Sequence, residues 1–335
     1  MELFEDLSVE GKLERIRQLA INAIERFGLP PKSTVVMINQ SENVIYQVYN
    51  PISGERFTLR VHRDDYHSKE SIQSELDWIV TLREEGIIKT PEPVPGYDGN
   101  LIQTVGLSGV PKARHCVLFR WIEGKSPAES RPLEHFGSLG EITARLHAHS
   151  RSWNRPVGFQ RINWDFETMF GANPIWGPWH DAPGLDQEKI TLLSELEAML
   201  QQRLEAFGKS PYRFGLIHAD LRLANLLIHE RKISLIDFDD CGNGWYLYDL
   251  GTALSFIEDR PDVPDLVSTW VDGYRRVLEI PREDEEEIQT FIMLRRLLLT
   301  AWIASHSETD LAKELGKNFA LGTCRMARIY LNSFK

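Results

Sequence analysis

The stretch GLIHADLRLANLLIHERKISLIDFDD, residues 215–240, places polar side chains where two apolar runs end. The side chains concerned are His218, Asp220, Asn225, Asp237, Asp239 and Asp240. A carboxylate at the end of a buried strand can hold a cation, accept a proton or accept backbone hydrogen bonds. The spacing of these residues helps to decide between the three.

Asn225 and Asp237 are separated by the apolar segments LLIH and ISLID around the turn ERK. This pattern predicts a β-hairpin, which brings its two ends together, so we expect Asn225 and Asp237 to be neighbours. An amide oxygen beside a carboxylate suits Mg²⁺, which prefers oxygen ligands and keeps water molecules for substrate phosphates. Asp220, one loop earlier, is expected to face the same place as a proton acceptor. Capping of strands and turns is the alternative for each residue alone.

The first 121 residues show the elements that must position part of this site. Apolar residues at helical spacing predict a leading helix over residues 9–27. Three strands follow, STVVMIN, NVIYQVYN and RFTLRVHR, and the turn PISGE joins the last two. A helix is predicted over residues 68–85, and LIQTV and CVLFRWIEG are predicted as further strands.

The rest of the chain is predicted to be mostly helical, interrupted by the hairpin within residues 215–240. The predicted helices cover residues 134–150, 186–207, 266–280 and 285–306, with another at the C terminus. The predicted fold class is therefore α+β. Residues 1–121 form a small lobe with an antiparallel sheet and a leading helix, and residues 122–335 form a large, mainly helical lobe.

Composition and charge limit the expected partners. The formal net charge of −11 argues against nucleic acid or an anionic membrane as the main partner. The start MELFEDLSVEG lacks the layout of a signal peptide, and no apolar run reaches the roughly 18 residues of a membrane helix. Three widely spaced cysteines fit a reducing compartment better than a disulfide framework. We expect a cytoplasmic protein.

The pattern His218-Ala219-Asp220-Leu221, then Asn225, then Ile236-Asp237-Phe238 resembles the catalytic loop and metal-binding aspartate of the protein-kinase-like superfamily. The segments LRVHR, SELDWI and YDLGTAL are similar to its aminoglycoside phosphotransferase branch, which includes choline and homoserine kinases and a bacterial stress-response kinase. The resemblance covers about residues 35–260. It implies a bilobal protein-kinase-like fold that uses ATP and Mg²⁺.

Carried over to this sequence, the resemblance also implies roles for single residues. Asp220 is expected to be the catalytic base that orients an acceptor hydroxyl, and Asn225 and Asp237 to be the Mg²⁺ ligands. Arg222 is expected to face the transferred phosphoryl group, with plain solvent exposure as the alternative. Asp249 in YDLG is expected to be a buried acid that accepts backbone N–H groups from the catalytic loop.

A kinase of this kind needs a cation on the α- and β-phosphates, held by an acid on the neighbouring helix. Arg60 points away from the apolar face of its predicted strand, and Glu75 borders the apolar stripe of its predicted helix. Both match the positions of the family's Lys–Glu pair, with arginine in place of lysine. Arginine can still bind phosphate oxygens, but its forked geometry differs. A purely structural ion pair is the alternative.

Two further segments are expected to contact the nucleotide. The turn NQSENVIY contains no glycine and therefore no Gly-x-Gly-x-x-Gly loop, so backbone N–H and hydroxyl groups near Ser41 and Asn43 are the expected phosphate contacts. Phe119 and Trp121 lie in the segment expected to form a hinge whose backbone binds adenine.

The acceptor is expected to be a small molecule with a hydroxyl, because only twelve residues separate Asp237 from Asp249 and leave no room for an activation segment. Trp176 and Trp179 with Asp239 and Asp240 are expected to form an aromatic, acidic pocket for an amine. Packed core is the alternative for both tryptophans.

Two other functions remain open for this sequence. One is a bacterial Ser/Thr protein kinase of the stress-response type, and the other is a nucleotide-binding regulator with weak catalysis. Arg295 and Arg296 on a late helix could meet an acidic substrate or only solvent.

Overall fold

A computed structural model describes residues 3–40, 43–127 and 131–334. In chain order the strands are β1 (Thr34–Gln40), β2 (Val44–Tyr49), β3 (Arg56–Val61), β4 (Pro93–Val94), β5 (Ile102–Val105), β6 (Arg114–Arg120), β7 (Ile162–Trp164), β8 (Phe214–Ile217), β9 (Leu226–His229), β10 (Lys232–Leu235) and β11 (Gly242–Trp245). The helices are α1 (Val9–Arg26), α2 (Lys69–Glu84), α3 (Leu133–Ser152), α4 (Phe166–Phe170), α5 (Gln187–Phe207), α6 (Tyr248–Ala253), α7 (Val263–Tyr274), α8 (Arg282–Glu285), α9 (Ile288–Ser305) and α10 (Asp310–Asn332). None of the helices in the described ranges is long and apolar enough to cross a bilayer.

The chain divides into two compact units. The first unit is made of residues 1–124, 155–160 and 228–239. The second unit is made of residues 125–154, 161–227 and 240–335. The first combines an antiparallel sheet with helices and the second is mainly helical, so the predicted α+β class is confirmed.

The sheet of the first unit runs in the order β1-β2-β3-β6-β4, with β5 also paired to β6. All of these pairs are antiparallel. Ser8 caps the N terminus of helix α1, and its hydroxyl accepts the Gly11 N–H at 3.1 Å. It packs its apolar face on the sheet, because Leu19, Ala20 and Ile24 are completely buried there.

Strand β3 lies in the middle of this sheet and is buried on both faces. One face carries every second residue, Phe57, Leu59 and Val61, and lies in the apolar core shared with α1. Arg60 points to the other face and is only 4% exposed. A charged side chain at such a depth requires paired partners, which the site description identifies below.

Two later stretches of chain, residues 155–160 and 228–239, complete the first unit. The prediction assigned both stretches to the large lobe, residues 122–335. The N–H of Leu235 at the end of β10 donates to the Lys89 carbonyl at 2.9 Å, and the Phe238 ring packs edge-on against Trp78. The Gln160 N–H donates to the Ser74 hydroxyl on α2 at 3.0 Å.

The second unit contains a sheet in the order β7-β11-β8, in which β11 is parallel to β7 and antiparallel to β8. Strand β11 has the sequence GNGW and was not predicted, because glycines give no apolar alternation. Its glycines are required by packing: a Cβ at Gly244 would lie 2.5 Å from the Ile217 side chain. Helix α7 ends at Tyr274, earlier than the predicted residue 280.

Helices α6 and α9 of the second unit approach each other closely at Gly251. A Cβ on this residue would lie 2.7 Å from the Phe291 carbonyl oxygen, which is closer than packed atoms tolerate. The same Cβ would lie 3.3 Å from the Cβ of Arg295. The missing side chain therefore lets α9 bring Arg295 against α6.

Candidate active site

The loop that follows β8 carries the predicted catalytic base. Ala219 has a φ of 64°, in the left-handed region that non-glycine residues rarely adopt. Such backbone is found where the surroundings hold it, often at functional sites. A 3₁₀ turn over Leu223–Asn225 follows, so Asp220 lies between the strained residue and the turn.

Asp249 holds this loop in place from the start of α6. It is completely buried, and its carboxylate accepts the N–H groups of Ala219 at 2.7 Å and His218 at 3.1 Å. His147 lies 3.0 Å from the same carboxylate, and the Thr252 hydroxyl accepts the Leu221 N–H at 3.0 Å. These contacts are those expected of an acid that supports a catalytic loop.

The Asp220 carboxylate is surrounded by hydrogen-bond donors. Arg222 Nε lies 3.2 Å from both of its oxygens, and Asn225 Nδ2 donates to Oδ2 at 2.9 Å. Arg295 Nη2 donates to Oδ1 at 3.1 Å. The backbone N–H of Asp220 donates to His218 Nδ1 at 3.3 Å, so His218 helps to shape the loop.

These partners keep Asp220 ionised. Burial acts to raise its pKa, but the charges of Arg222 and Arg295 act more strongly in the opposite direction, and the pKa of Asp220 is lowered. The Asn225 hydrogen bond acts in the same direction. An ionised carboxylate with a 14% exposed side chain can accept a proton from a bound hydroxyl.

Arg295 was not predicted to contact the base. It lies on α9, where the two interpretations left open for Arg295 and Arg296 were contact with an acidic substrate and exposure to solvent. Both are buried, at 3% and 2% exposure, so the solvent interpretation is wrong. Arg296 binds Glu258 at 2.7 Å and its guanidinium covers the Phe319 ring. Two charges inside the apolar run IMLRRLLL were the signal that could have indicated buried, paired arginines.

The predicted metal ligands lie at the two ends of a hairpin, formed by β9 and β10 as expected. Asn225 uses its amide nitrogen to donate to the Asp220 carbonyl and carboxylate, at 2.8 and 2.9 Å. Its amide oxygen accepts no hydrogen bond from the described residues and so suits a hard cation. Asp237 has a φ of 64°. The donor chemistry fits Mg²⁺, and the role of both residues stays a prediction.

The first unit holds the predicted Arg60–Glu75 ion pair. Arg60 Nη2 donates to both Glu75 oxygens at 2.7 Å, and Glu75 is completely buried. Asp239 lies 3.5 Å from Arg60 Nη1, and the guanidinium also faces the Phe119 ring. Burial acts to lower the pKa of Arg60, but the charges of Glu75 and Asp239 raise it.

Two histidines also approach Asp239. His62 Nδ1 and His67 Nε2 each lie 3.6 Å from one of its oxygens. Burial, followed by the nearby charge of Arg60, lowers the pKa of His62 well below its ordinary value. His62 is therefore neutral, and Arg60 supplies positive charge beside Asp239. The contact of Asp239 with an amine stays a prediction.

The other predicted nucleotide contacts belong to the first unit. Ser41 lies outside the described residues. Asn43 is buried, and its side-chain oxygen accepts the Arg63 N–H at 3.0 Å, so the side chain fixes the end of the turn. Phe119 is buried beside Arg60, and the Trp121 ring faces the Arg56 guanidinium. Their contacts with a nucleotide stay predictions.

Of the predicted pocket residues, Trp176, Trp179 and Asp240 belong to the second unit, whereas Asp239 belongs to the first. Trp179 is 2% exposed and donates from Nε1 to Glu197 on α5 at 2.6 Å. Trp176 is 4% exposed, and the Arg295 guanidinium lies over its ring at 5.5 Å. The backbone carbonyl of Asp240 accepts the Trp164 indole N–H at 2.7 Å. One face of Trp176 is thus already in contact with an internal cation.

The structure brings together Asp220, Arg222 and Asn225 in the second unit, with Arg295 as an additional partner. It brings together Arg60, Glu75 and Asp239 in the first unit. Trp179 is held by α5 and packs on His180. In the groups around Asp220 and around Arg60, the polar side chains contact one another instead of only capping strands and turns.

Comparison with known proteins gives consistent relatives. Residues 39–288 match the model of the "Phosphotransferase enzyme family". The chain is 24% identical to an amicoumacin kinase of Bacillus subtilis (strain 168) over 310 residues, which is 88% of this chain and 87% of that protein. A solved microcompartment-associated aminopropanol kinase is 42% identical, with a TM-score of 0.87, covering 94% of this chain and 98% of that one. An amicoumacin kinase solved with AMP-PNP and Ca²⁺ is 22% identical, with a TM-score of 0.75, covering 96% and 95%.

Proposed function

The chain belongs to the phosphotransferase enzyme family, and from this premise we propose that it transfers the γ-phosphoryl group of ATP to the hydroxyl of a small amino alcohol. The observation that carries the proposal is the Asp220 carboxylate, ionised, partly exposed and held by Asn225, Arg222 and Arg295. A hydroxyl that binds there has a proton acceptor within hydrogen-bond reach.

Phosphoryl transfer depends mainly on positioning and on neutralising charge, because the transferred group passes through a loose transition state. Asp220 orients the acceptor hydroxyl and takes its proton. Arg222, whose side chain is 30% exposed, is the cation on this loop that can turn from Asp220 toward the transferred group. Asn225 and Asp237 are the residues that would hold Mg²⁺, which would supply positive charge to neutralise the phosphate oxygens.

Arg60 is the proposed cation for the α- and β-phosphates. Its Nε has no hydrogen-bond partner among the described residues, whereas both of its terminal nitrogens face carboxylates. Glu75 fixes the guanidinium through Nη2, which is how the lysine of related kinases is held by its glutamate. This buried donor without a partner supports a role for Arg60 in binding an anion.

The acceptor class rests on the aminopropanol kinase relative, which is 42% identical over nearly the whole chain. The amicoumacin kinases, at 24% and 22% identity, support the fold and not the acceptor. An amino alcohol carries a hydroxyl for Asp220 and an ammonium group that a carboxylate can bind. Asp239 and Asp240 remain the predicted partners for that ammonium group.

The test is a kinase assay with Mg·ATP against a panel of short amino alcohols, their deaminated analogues, aminoglycosides and casein. We expect turnover with amino alcohols, loss of turnover with a chelator, and its return with added Mg²⁺. Asp220→Asn should abolish turnover while ATP binding by calorimetry stays within about threefold. Asp272→Asn, an exposed acid on α7, is the matched control and should behave as wild type. Equal turnover of the deaminated analogues would refute the acceptor class, and active Asp220→Asn would refute the base.

A further inference from the structure

Donors from three side chains surround the Asp220 carboxylate. A carboxylate has about four lone-pair positions on its two oxygens. Arg222 approaches both oxygens, Asn225 occupies Oδ2 and Arg295 occupies Oδ1. These three N–H groups make four contacts and crowd both oxygens, and the Arg222 contacts, at 3.2 Å, are the longest of them. An acceptor hydroxyl gains most room on the carboxylate when Arg222 moves away.

The two arginines differ in how firmly they are held. The Arg222 side chain is 30% exposed, and its charged partner is Asp220 itself, at 3.2 Å. The Arg295 side chain is 3% exposed and is anchored at three nitrogens: Nε donates to Ser255 at 2.9 Å, Nη1 to Tyr248 at 3.1 Å and Nη2 to Asp220. The donor that can leave is Arg222.

The surroundings of Arg295 also fix the plane of its guanidinium. The Trp176 ring lies 5.5 Å away and the Tyr248 ring 5.8 Å away. Burial raises the pKa of Tyr248 to about 12, so its hydroxyl stays neutral and can accept from Nη1. Gly251 lets α9 approach α6 closely enough for these contacts. Packing against rings and hydrogen bonds at every nitrogen leave the guanidinium little freedom.

We propose that Arg295 is a positioning residue for catalysis: it holds Asp220 Oδ1 throughout the reaction, so that the position vacated by Arg222 faces the acceptor hydroxyl. The proposal rests on the proposed function, because it assumes that Asp220 is the base. With Arg295 on Oδ1 and Asn225 on Oδ2, rotation of the carboxylate is restricted, which keeps its free lone pair in a single direction. Arg295 contacts the base and not the substrate.

The chain provides a matched control in the adjacent Arg296. It lies on the same helix, is equally buried and binds a carboxylate, Glu258, at 2.7 Å. It also donates to Thr323 and to the Phe319 carbonyl, and none of its contacts is with Asp220. Arg296→Met and Arg295→Met therefore remove the same group from the same helix, and only the second affects the base.

The test is steady-state kinetics on folded Arg295→Met, Arg295→Lys and Arg296→Met, with an amino alcohol that the wild-type enzyme phosphorylates. We expect Arg295→Met to lower kcat on the order of 100-fold, the loss typical of a misplaced catalytic group, with the KM for Mg·ATP within about twofold. Arg295→Lys should recover part of the loss. Arg296→Met should lower thermal stability and leave kcat of the folded fraction unchanged.

Two milder variants cover the case in which Arg295→Met fails to fold. Tyr248→Phe and Ser255→Ala each remove one anchor of the guanidinium and should each lower kcat severalfold, with the double variant lower still. Guanidinium at millimolar concentration should partly restore Arg295→Ala, whereas urea, which is similar in shape but neutral, should not.

The outcomes separate the two proposals. If Asp220→Asn is active, the base assignment fails and this inference falls with it. If Asp220→Asn is inactive while Arg295→Met and the anchor variants keep the kcat of Arg296→Met, only the role of Arg295 is refuted. An Arg295→Met effect confined to the KM for Mg·ATP would also refute it.

Discussion

Replacing Glu75 by leucine should destabilise the first unit strongly, because Arg60 cannot lose its charge. Arginine stays protonated at every pH the protein survives, unlike the lysine that related kinases use at this place. Without Glu75, the acids left near Arg60 are Asp239, at 3.5 Å from Nη1, and Asp237, whose charge has a smaller effect. The guanidinium would then be buried at 4% exposure with its Nη2 unpaired.

The expected loss follows from the geometry of the pair. Removing one partner of a buried ion pair costs about 3–5 kcal/mol, because the other charge is left uncompensated. Both contacts of Arg60 Nη2 are short, at 2.7 Å, so we place Glu75→Leu in the upper half of this range. For a domain of this size, each kcal/mol lowers the melting temperature by roughly 2–4 °C, which gives a decrease of at least about 8 °C.

The assay is thermal unfolding of Glu75→Leu, Arg60→Met and the double variant. The double variant should regain most of the lost stability, since an apolar pair can replace a buried ion pair, but it should remain inactive if Arg60 binds phosphate. The exposed pair Arg17–Glu14 is the control, and Glu14→Leu should change stability by at most about 1 kcal/mol. A double variant no more stable than Glu75→Leu would refute the reasoning.

Three further predictions concern the second unit. Burial lowers the pKa of His147 despite its hydrogen bond to Asp249, so the free energy of unfolding should decrease as the pH falls below the unfolded-state pKa near 6.5, by at most about 1.4 kcal/mol per pH unit. Urea unfolding at several pH values should show a flatter pH dependence for His147→Gln than for the wild type, and equal slopes would contradict this. Trp179→Phe should lower the free energy of unfolding by about 1.5–3 kcal/mol, because it loses the hydrogen bond to Glu197, and should leave the KM for the acceptor unchanged. A raised KM for the acceptor would instead indicate that Trp179 contacts the substrate. Gly251→Ala should lower the free energy of unfolding by about 1–3 kcal/mol and lower kcat, because the added methyl group pushes α9 away, whereas Gly106→Ala, with open space at its Cβ, should change neither. Calorimetry and kinetics that give the same values for both variants would contradict this.

The sequence predicted what depends on short stretches of chain. The loop with Asp220 and Asn225 and the hairpin after it are specified by residues close together, and the family and fold inferred from them are confirmed. The Arg60–Glu75 pair, fifteen residues apart, followed from strand and helix periodicity together with the resemblance to the family's Lys–Glu pair. The phosphotransferase class is likewise confirmed.

What the sequence did not predict depends on distant contacts. Arg295 lies 75 residues from Asp220, and no local pattern reports that α9 passes the catalytic loop. Strand β11 was missed because packing against Ile217 and Ile162 requires glycine where periodicity expects apolar side chains. Trp176 and Trp179 looked equivalent in sequence, and only their partners, Arg295 and Glu197, distinguish them.

The first unit is built from three separate stretches of chain, and this constrains the order in which it can mature during synthesis. Its last stretch ends at Asp239, while its first ends at Gly124. When residue 124 has been added to the chain, about half of the second unit must still be translated before Asp239 can join Arg60. We therefore expect the nascent N-terminal portion to remain incompletely charge-balanced for that interval, and a gene fragment that stops at codon 124 to be a poor source of the isolated lobe.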